Sequence, residues 1–179
     1  MPQIMWGEFG MKGIFKTIDF AEYIVDRYLK KNFVEISAIK LQKVLYFLFA
    51  YWGAYIRNAK IGETEEKTLS NYSEYLFDDD IYAWTYGPVV KTVYNAFKSG
   101  QLKGNITRES CSIFNNDKYL ESNINGLMDE LFELSDFKLV GMAHLDECWK
   151  KNYDASAKRH NNIIDKEDII NEYAYKILQ

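Results

Sequence analysis

The chain has 179 residues, 47% of them apolar and 16% aromatic, and a net charge of -4. This composition is enough for one packed domain and excludes a disordered chain. Without a concentrated run of Lys or Arg to displace counterions, nucleic acid is not an expected partner, and no window holds the ~20 largely apolar residues of a membrane span.

Residues 1–16 carry three glycines and no steady period, without the basic start and apolar block of a secretory signal. They are expected to form an N-terminal arm, with Met11 as an alternative start, and residues 17–179 to form the domain. Thr17 or Asp19 is suited to cap a first helix, on which Phe20, Ala21, Ile24, Val25, Tyr28 and Leu29 recur on one face. Ser37 caps the second. Its stripe of Leu41, Val44, Leu45, Leu48, Trp52, Tyr55 and Ile56 is widened by Tyr46, Phe47, Phe49 and Tyr51. A helix apolar almost all round is surrounded by neighbours, so this one is expected at the centre, with Gly53 allowing another helix close approach.

Residues 58–73 read as a polar connector, and residues 74–84 as a short strand or extended crossing. Gly87-Pro88 is expected to open a helix, since Pro at a first helical position loses no needed hydrogen bond; Ser99-Gly100 stops it. Residues 101–122 read as a loop or small hairpin. A helix is expected from Asn123, carrying Ile124, Leu127, Met128, Leu131 and Phe132. Another is capped by Ser135, carrying Phe137, Leu139, Val140, Met142 and Ala143, with Cys148 at its end. The last is capped by Asp165, with Ile169, Ile170, Tyr173, Ala174, Ile177 and Leu178 on one side. The expected fold is mainly α: a single compact helical domain of about six helices with at most a short strand or hairpin.

Chemistry is sparse in this pattern. His144 stands at metal-ligand spacing from Glu147 and Cys148, but a zinc site takes three or four ligands and His160 adds no partnered motif. Asp78-Asp79-Asp80 lacks the alternation, Gly turn and distal Glu of a calcium loop, and reads as a solvated turn or cap. Cys111 and Cys148 are too few for a disulfide framework and sit in no nucleophile signature. Tyr82, Trp84, Tyr86 and Tyr94 cluster around Gly87-Pro88. Tyr and Trp anchor protein interfaces, and they also fill cores. Both readings stay open.

Three segments carry a resemblance. Lys40-Leu41-Gln42-Lys43-Val44-Leu45-Tyr46-Phe47 resembles the "K-LQKLLYF" helix of the Panacea domain, found in SocA-like antitoxins and phage-associated proteins. Leu76-Phe77-Asp78-Asp79-Asp80-Ile81-Tyr82-Ala83-Trp84-Thr85-Tyr86-Gly87-Pro88-Val89-Val90 is similar to that family's "LFDE-IEAW-YGPV" segment. His144-Leu145-Asp146-Glu147-Cys148-Trp149-Lys150 is similar to its "H-E-PW" element, with Cys148 where a Pro is common. The likeness spans residues 17–175, with a longer and more charged stretch over residues 53–73.

The resemblance implies a cytoplasmic, non-enzymatic, protein-binding antitoxin that neutralises a partner toxin directly or by delivering it to a protease of the AAA+ class. The alternative is a phage or prophage protein that inhibits a host defence protein; an enzyme or a DNA-binding autoregulator ranks lower. It further implies that Lys43, Tyr46, Trp84, Tyr86, Gly87, Pro88, Tyr94, His144 and Trp149 serve either as scaffold of the motif or as partner contacts. No catalytic residue, metal or cofactor is expected.

Overall fold

A computed structural model describes residues 12–62, 69–104 and 113–179. Its centre is α2 (Ala38–Ile61), whose first turn is closed by the Ser37 hydroxyl accepting from Lys40 N at 2.9 Å. Fifteen of its 24 residues are buried, including polar Lys40, Gln42 and Lys43. Around it pack α1 (Thr17–Asn32), α3 (Lys91–Lys98), α4 (Lys118–Glu133), α5 (Asp136–Ala143) and α7 (Lys166–Lys176). A one-turn helix, α6 (Glu147–Lys150), completes seven helices among the described residues. A Cβ at Gly53 would stand 2.7 Å from the Ile170 side chain and 2.9 Å from Glu74 O. Close approach by α7 therefore requires glycine there, as expected. None of the described helices is long and apolar enough to cross a membrane.

Three short strands form one antiparallel sheet in the order β2-β1-β3. β1 (Ile81–Trp84) and β2 (Gly87–Val90) make a hairpin in which Ile81 faces Val90 and Trp84 faces Gly87. β3 (Ile163–Ile164) pairs with the other side of β1. Gly87-Pro88 thus opens a strand, and the helix expected there begins at Lys91. Gly87 has φ +94°, outside helical space. Pro88 is tolerated because β2 is an edge strand, where its missing N–H leaves no ladder position empty.

Other departures have local causes. α1 has no side-chain cap: Lys16 precedes it in extended conformation, and the Thr17 hydroxyl donates instead to Asp79 Oδ1 at 2.6 Å. α4 starts five residues before Asn123, capped by Asp117, whose Oδ1 accepts from Leu120 N at 2.9 Å. Phe137 is 92% exposed, because Leu139 and Ala143 set the buried face of the two-turn α5. Ile177 and Leu178 lie past the end of α7 and are exposed. The acidic run is a tether. Asp78 Oδ1 accepts from Lys12 N and Gly13 N, Asp79 accepts from Thr17 and Thr92, and Lys166 lies 3.7 Å from Asp80. Residues at the end of the arm are held too, with Ile14 N and Phe15 N donating to Tyr75 O and Leu76 O.

Candidate partner-binding site

The hairpin and its supports gather most of the residues singled out in the sequence. A free strand edge leaves main-chain groups unmatched, and a buried one must find partners. Two consecutive α2 side chains supply them for β2. The Gln42 amide accepts from Val90 N at 2.8 Å and donates to Val90 O at 3.3 Å. Lys43 Nζ donates to Pro88 O at 2.5 Å. Lys43 is 1% exposed, and burial pulls its ammonium down from 10.5 to about 7, with no acid among the described residues offsetting the loss of water. Gly87 leaves the space this amine needs: a Cβ there would lie 3.0 Å from Lys43 Cε and 3.2 Å from Nζ.

The far side of the hairpin is held by the segment after α5. Trp149 Nε1 donates to Trp84 O at 3.0 Å, and His144 Nε2 donates to Thr85 O at 3.0 Å. His160 Nε2 lies 3.2 Å from the Thr85 hydroxyl. His144, Trp149, Tyr153 and His160 stack in series, with ring centroids 4.3, 4.7 and 5.4 Å apart. His144 and Trp149 therefore grip the Trp84-Thr85 backbone, His160 meets the Thr85 side chain, and Tyr86 is left 64% exposed at the apex. Trp84 packs edge-on against Tyr94 at 5.0 Å. Between these rings and the first turn of α2 lies a cavity of about 300 Å³, bordered also by Lys43, Val89 and His160. The indole N–H of Trp84, one of the lining residues, is shut off from water and has no hydrogen-bond partner among the described residues.

Tyr46 belongs elsewhere. Its hydroxyl donates to Asp146 Oδ2 at 2.6 Å and lies 3.5 Å from Cys148 Sγ. Tyr173 donates to the same Asp146 oxygen at 2.9 Å, and Lys176 reaches the other at 2.6 Å. Beside this buried carboxylate, burial raises the pKa values of Tyr46 and Tyr173 and pushes the Cys148 thiol up to about 12. Cys148 is thus a thiol at neutral pH, the unreactive form. Cys111 lies outside the described residues. His144 turns to Thr85 while Cys148 turns to Tyr46, so the i, i+4 pair does not converge on a common point.

Of the nine expected residues, Lys43, Trp84, Tyr86, Gly87, Pro88, Tyr94, His144 and Trp149 meet at the hairpin, and Tyr46 joins the Asp146 cluster. Gln42, Thr85, Asp146 and His160 were missed as site residues. Gln42 and Asp146 lie inside the quoted motifs, and for Gln42 the signal was there: a polar residue on the buried side of an apolar helix must have a partner.

The model of the family described as "Antitoxin SocA-like, Panacea domain" matches residues 64–168, more than half of the chain. The chain belongs to this family. The match is narrower than the 17–175 likeness expected. It holds the hairpin and the ring stack, whereas Gln42 and Lys43, which complete the hairpin of this Panacea domain, come from outside it. No curated protein matches the chain, and no solved structure does.

Proposed function

We propose that this Panacea domain is an antitoxin that binds a protein toxin through the surface around Tyr86. The observation that carries the reading is an aromatic side chain 64% exposed at the tip of a hairpin whose backbone is fixed by Lys43, His144, Trp149 and Gln42. A rigid, water-facing Tyr loses little conformational freedom on binding, which is the economy of interface anchors. Trp84 and Tyr94 form the wall beside it; Lys43, Gly87, Pro88, His144 and Trp149 hold its shape; Tyr46 acts from the core. In this reading the domain works by contact and turns over no substrate. The net charge of -4 speeds encounter with a basic toxin.

Co-expression with a candidate toxin, chosen from small reading frames adjacent to the gene, tests this. Growth should be restored by the unaltered chain and lost with Tyr86→Ala, while the variant keeps its helical circular dichroism. Rescue by the folded Tyr86→Ala chain would refute the placement of the surface. Following the toxin's level separates the two routes: a stable toxin in a complex means blocking, and its disappearance means delivery to a protease.

A further inference from the structure

Among the described residues the large apolar side chain most open to water is Phe137, at 92%. It begins a stripe along the outer side of α5. Gly141, also exposed, follows at four residues, and Leu145, 69% exposed, at eight. Four-residue spacing keeps side chains on one helix face, and Leu145 N donates to Met142 O at 3.1 Å, which carries the turn past the helix end. Leu139 and Ala143, on the opposite side, face the core. A Cβ at Gly141 would meet no atom within 4 Å. The stripe is therefore a notch between two apolar knobs, about 12 Å apart along the helix. At the start of α5 the Ser37 hydroxyl donates to Asp136 at 2.5 Å, which brings the loop of exposed Phe33 and Val34 to the same end. Single exposed apolar residues need no explanation, but these are grouped.

The stripe is symmetric about its centre, with Phe137 four residues before Gly141 and Leu145 four after. An antiparallel copy of the same stripe, crossing at Gly141, sets each Phe137 against Leu145 of the other copy, and the missing side chain lets the two backbones approach. The charges suit this pairing. Lys138, exposed and without an ion pair among the described residues, lies three residues before the centre. Glu147, its side chain 77% exposed, lies six after, and its only ionic partner among the described residues is the exposed Lys150. A two-fold axis at Gly141 holds the two lysines apart and puts each within about one turn of Glu147 of the other copy. Asp136 is already taken up by Ser37 and Lys40.

We propose that the outer face of α5 is where two copies of this chain associate, around a two-fold axis through Gly141. A two-turn stripe falls short of the ~800 Å² per partner of a standard interface, so the pair is weak, half-formed at a concentration on the order of tens of micromolar. The proposal goes beyond toxin binding, and its test needs no toxin.

Sedimentation velocity of the full chain, from about 1 to about 300 µM, should show the mass rising from one chain toward two. Phe137→Glu should weaken this association at least about tenfold and leave the helical circular dichroism unchanged, because that ring is open to water. Disulfide trapping in chains carrying Cys111→Ser reads the register. Like positions at the two knobs stand about 12 Å apart across the axis, beyond disulfide reach. Phe137→Cys mixed with Leu145→Cys should therefore link the two chains, and neither should link to itself. Gly126→Cys, equally open but on α4, should not link at all. A chain that stays single at the highest concentration, an association untouched by Phe137→Glu, or Phe137→Cys linking to itself overturns the proposal. A single chain whose rescue of growth from the toxin is lost with Phe137→Glu assigns the face to the toxin, and overturns it equally.

Discussion

Lys43 shows how a single buried charge is tolerated and at what cost. Its amine satisfies Pro88 O, but no carboxylate among the described residues neutralises it, and the folded chain gives up its proton near pH 7 while the unfolded chain holds it to about 10.5. Between those values the unfolded state binds more protons, so stability should rise with pH. Cys148 opposes this from about pH 9, because the unfolded thiol ionises there and the buried one stays protonated to about 12. Chemical denaturation between about pH 7.5 and 8.5 should therefore show stability increasing, by an amount on the order of 1 kcal/mol per pH unit. Lys43→Met should remove that slope. At Gly87 the constraint is backbone as well as space, since φ is +94° and a Cβ would meet Lys43 and Ala143. Gly87→Ala should cost about 1–3 kcal/mol in the same assay, with no change in helical content.

At the scale of elements, the hairpin and the α6–α7 junction are two polar assemblies that share the segment from His144 to Trp149. His144 and Trp149 look to the hairpin, while Asp146 between them looks to Tyr46, Tyr173 and Lys176. The carboxylate of Glu172 on α7 accepts from Glu147 N and Cys148 N, closing the open end of the four-residue α6. This explains how so short a helix persists and how its rings stay aimed at Trp84 and Thr85. Asp146→Ala strands two buried hydroxyls and the Lys176 ammonium together, and should cost about 3–5 kcal/mol. Tyr46→Phe removes one of three donors and should cost about 1 kcal/mol. If the junction positions the hairpin, Asp146→Asn, which keeps the volume, should also weaken toxin binding more than it lowers stability. Equal stability loss with unchanged binding would separate the two assemblies.

Over the whole molecule, α2 is the common floor. It carries the core stripe on most of its surface, feeds Gln42 and Lys43 to the sheet edge, and sends Lys40 to the carbonyls of Phe132 and Leu134 that end α4. The all-round apolar pattern of this helix was readable because a buried helix has no solvent face to encode. Ser37, Ser135 and Asp165 were readable as caps for a similar reason, since capping is decided within one turn. Gly87-Pro88 was not. The same dipeptide suits a helix start or an edge strand, and only the antiparallel pairing with Ala83 and Trp84, together with α2 side chains at the other edge, selects the strand. Phe137 misled for the same reason in reverse: an apolar side chain predicts burial only when its turn of helix faces a neighbour.

What the sequence determined alone was therefore local or periodic: the mainly α class, the central helix, most helix ends, and two segments specific enough to point to a family. The tertiary structure alone decided which polar residues answer one another across 100 positions, as Tyr46 and Asp146 do, and which aromatic is left facing water. Hydrogen bonds and burial between distant segments leave no period in the chain, because they depend on how whole elements pack.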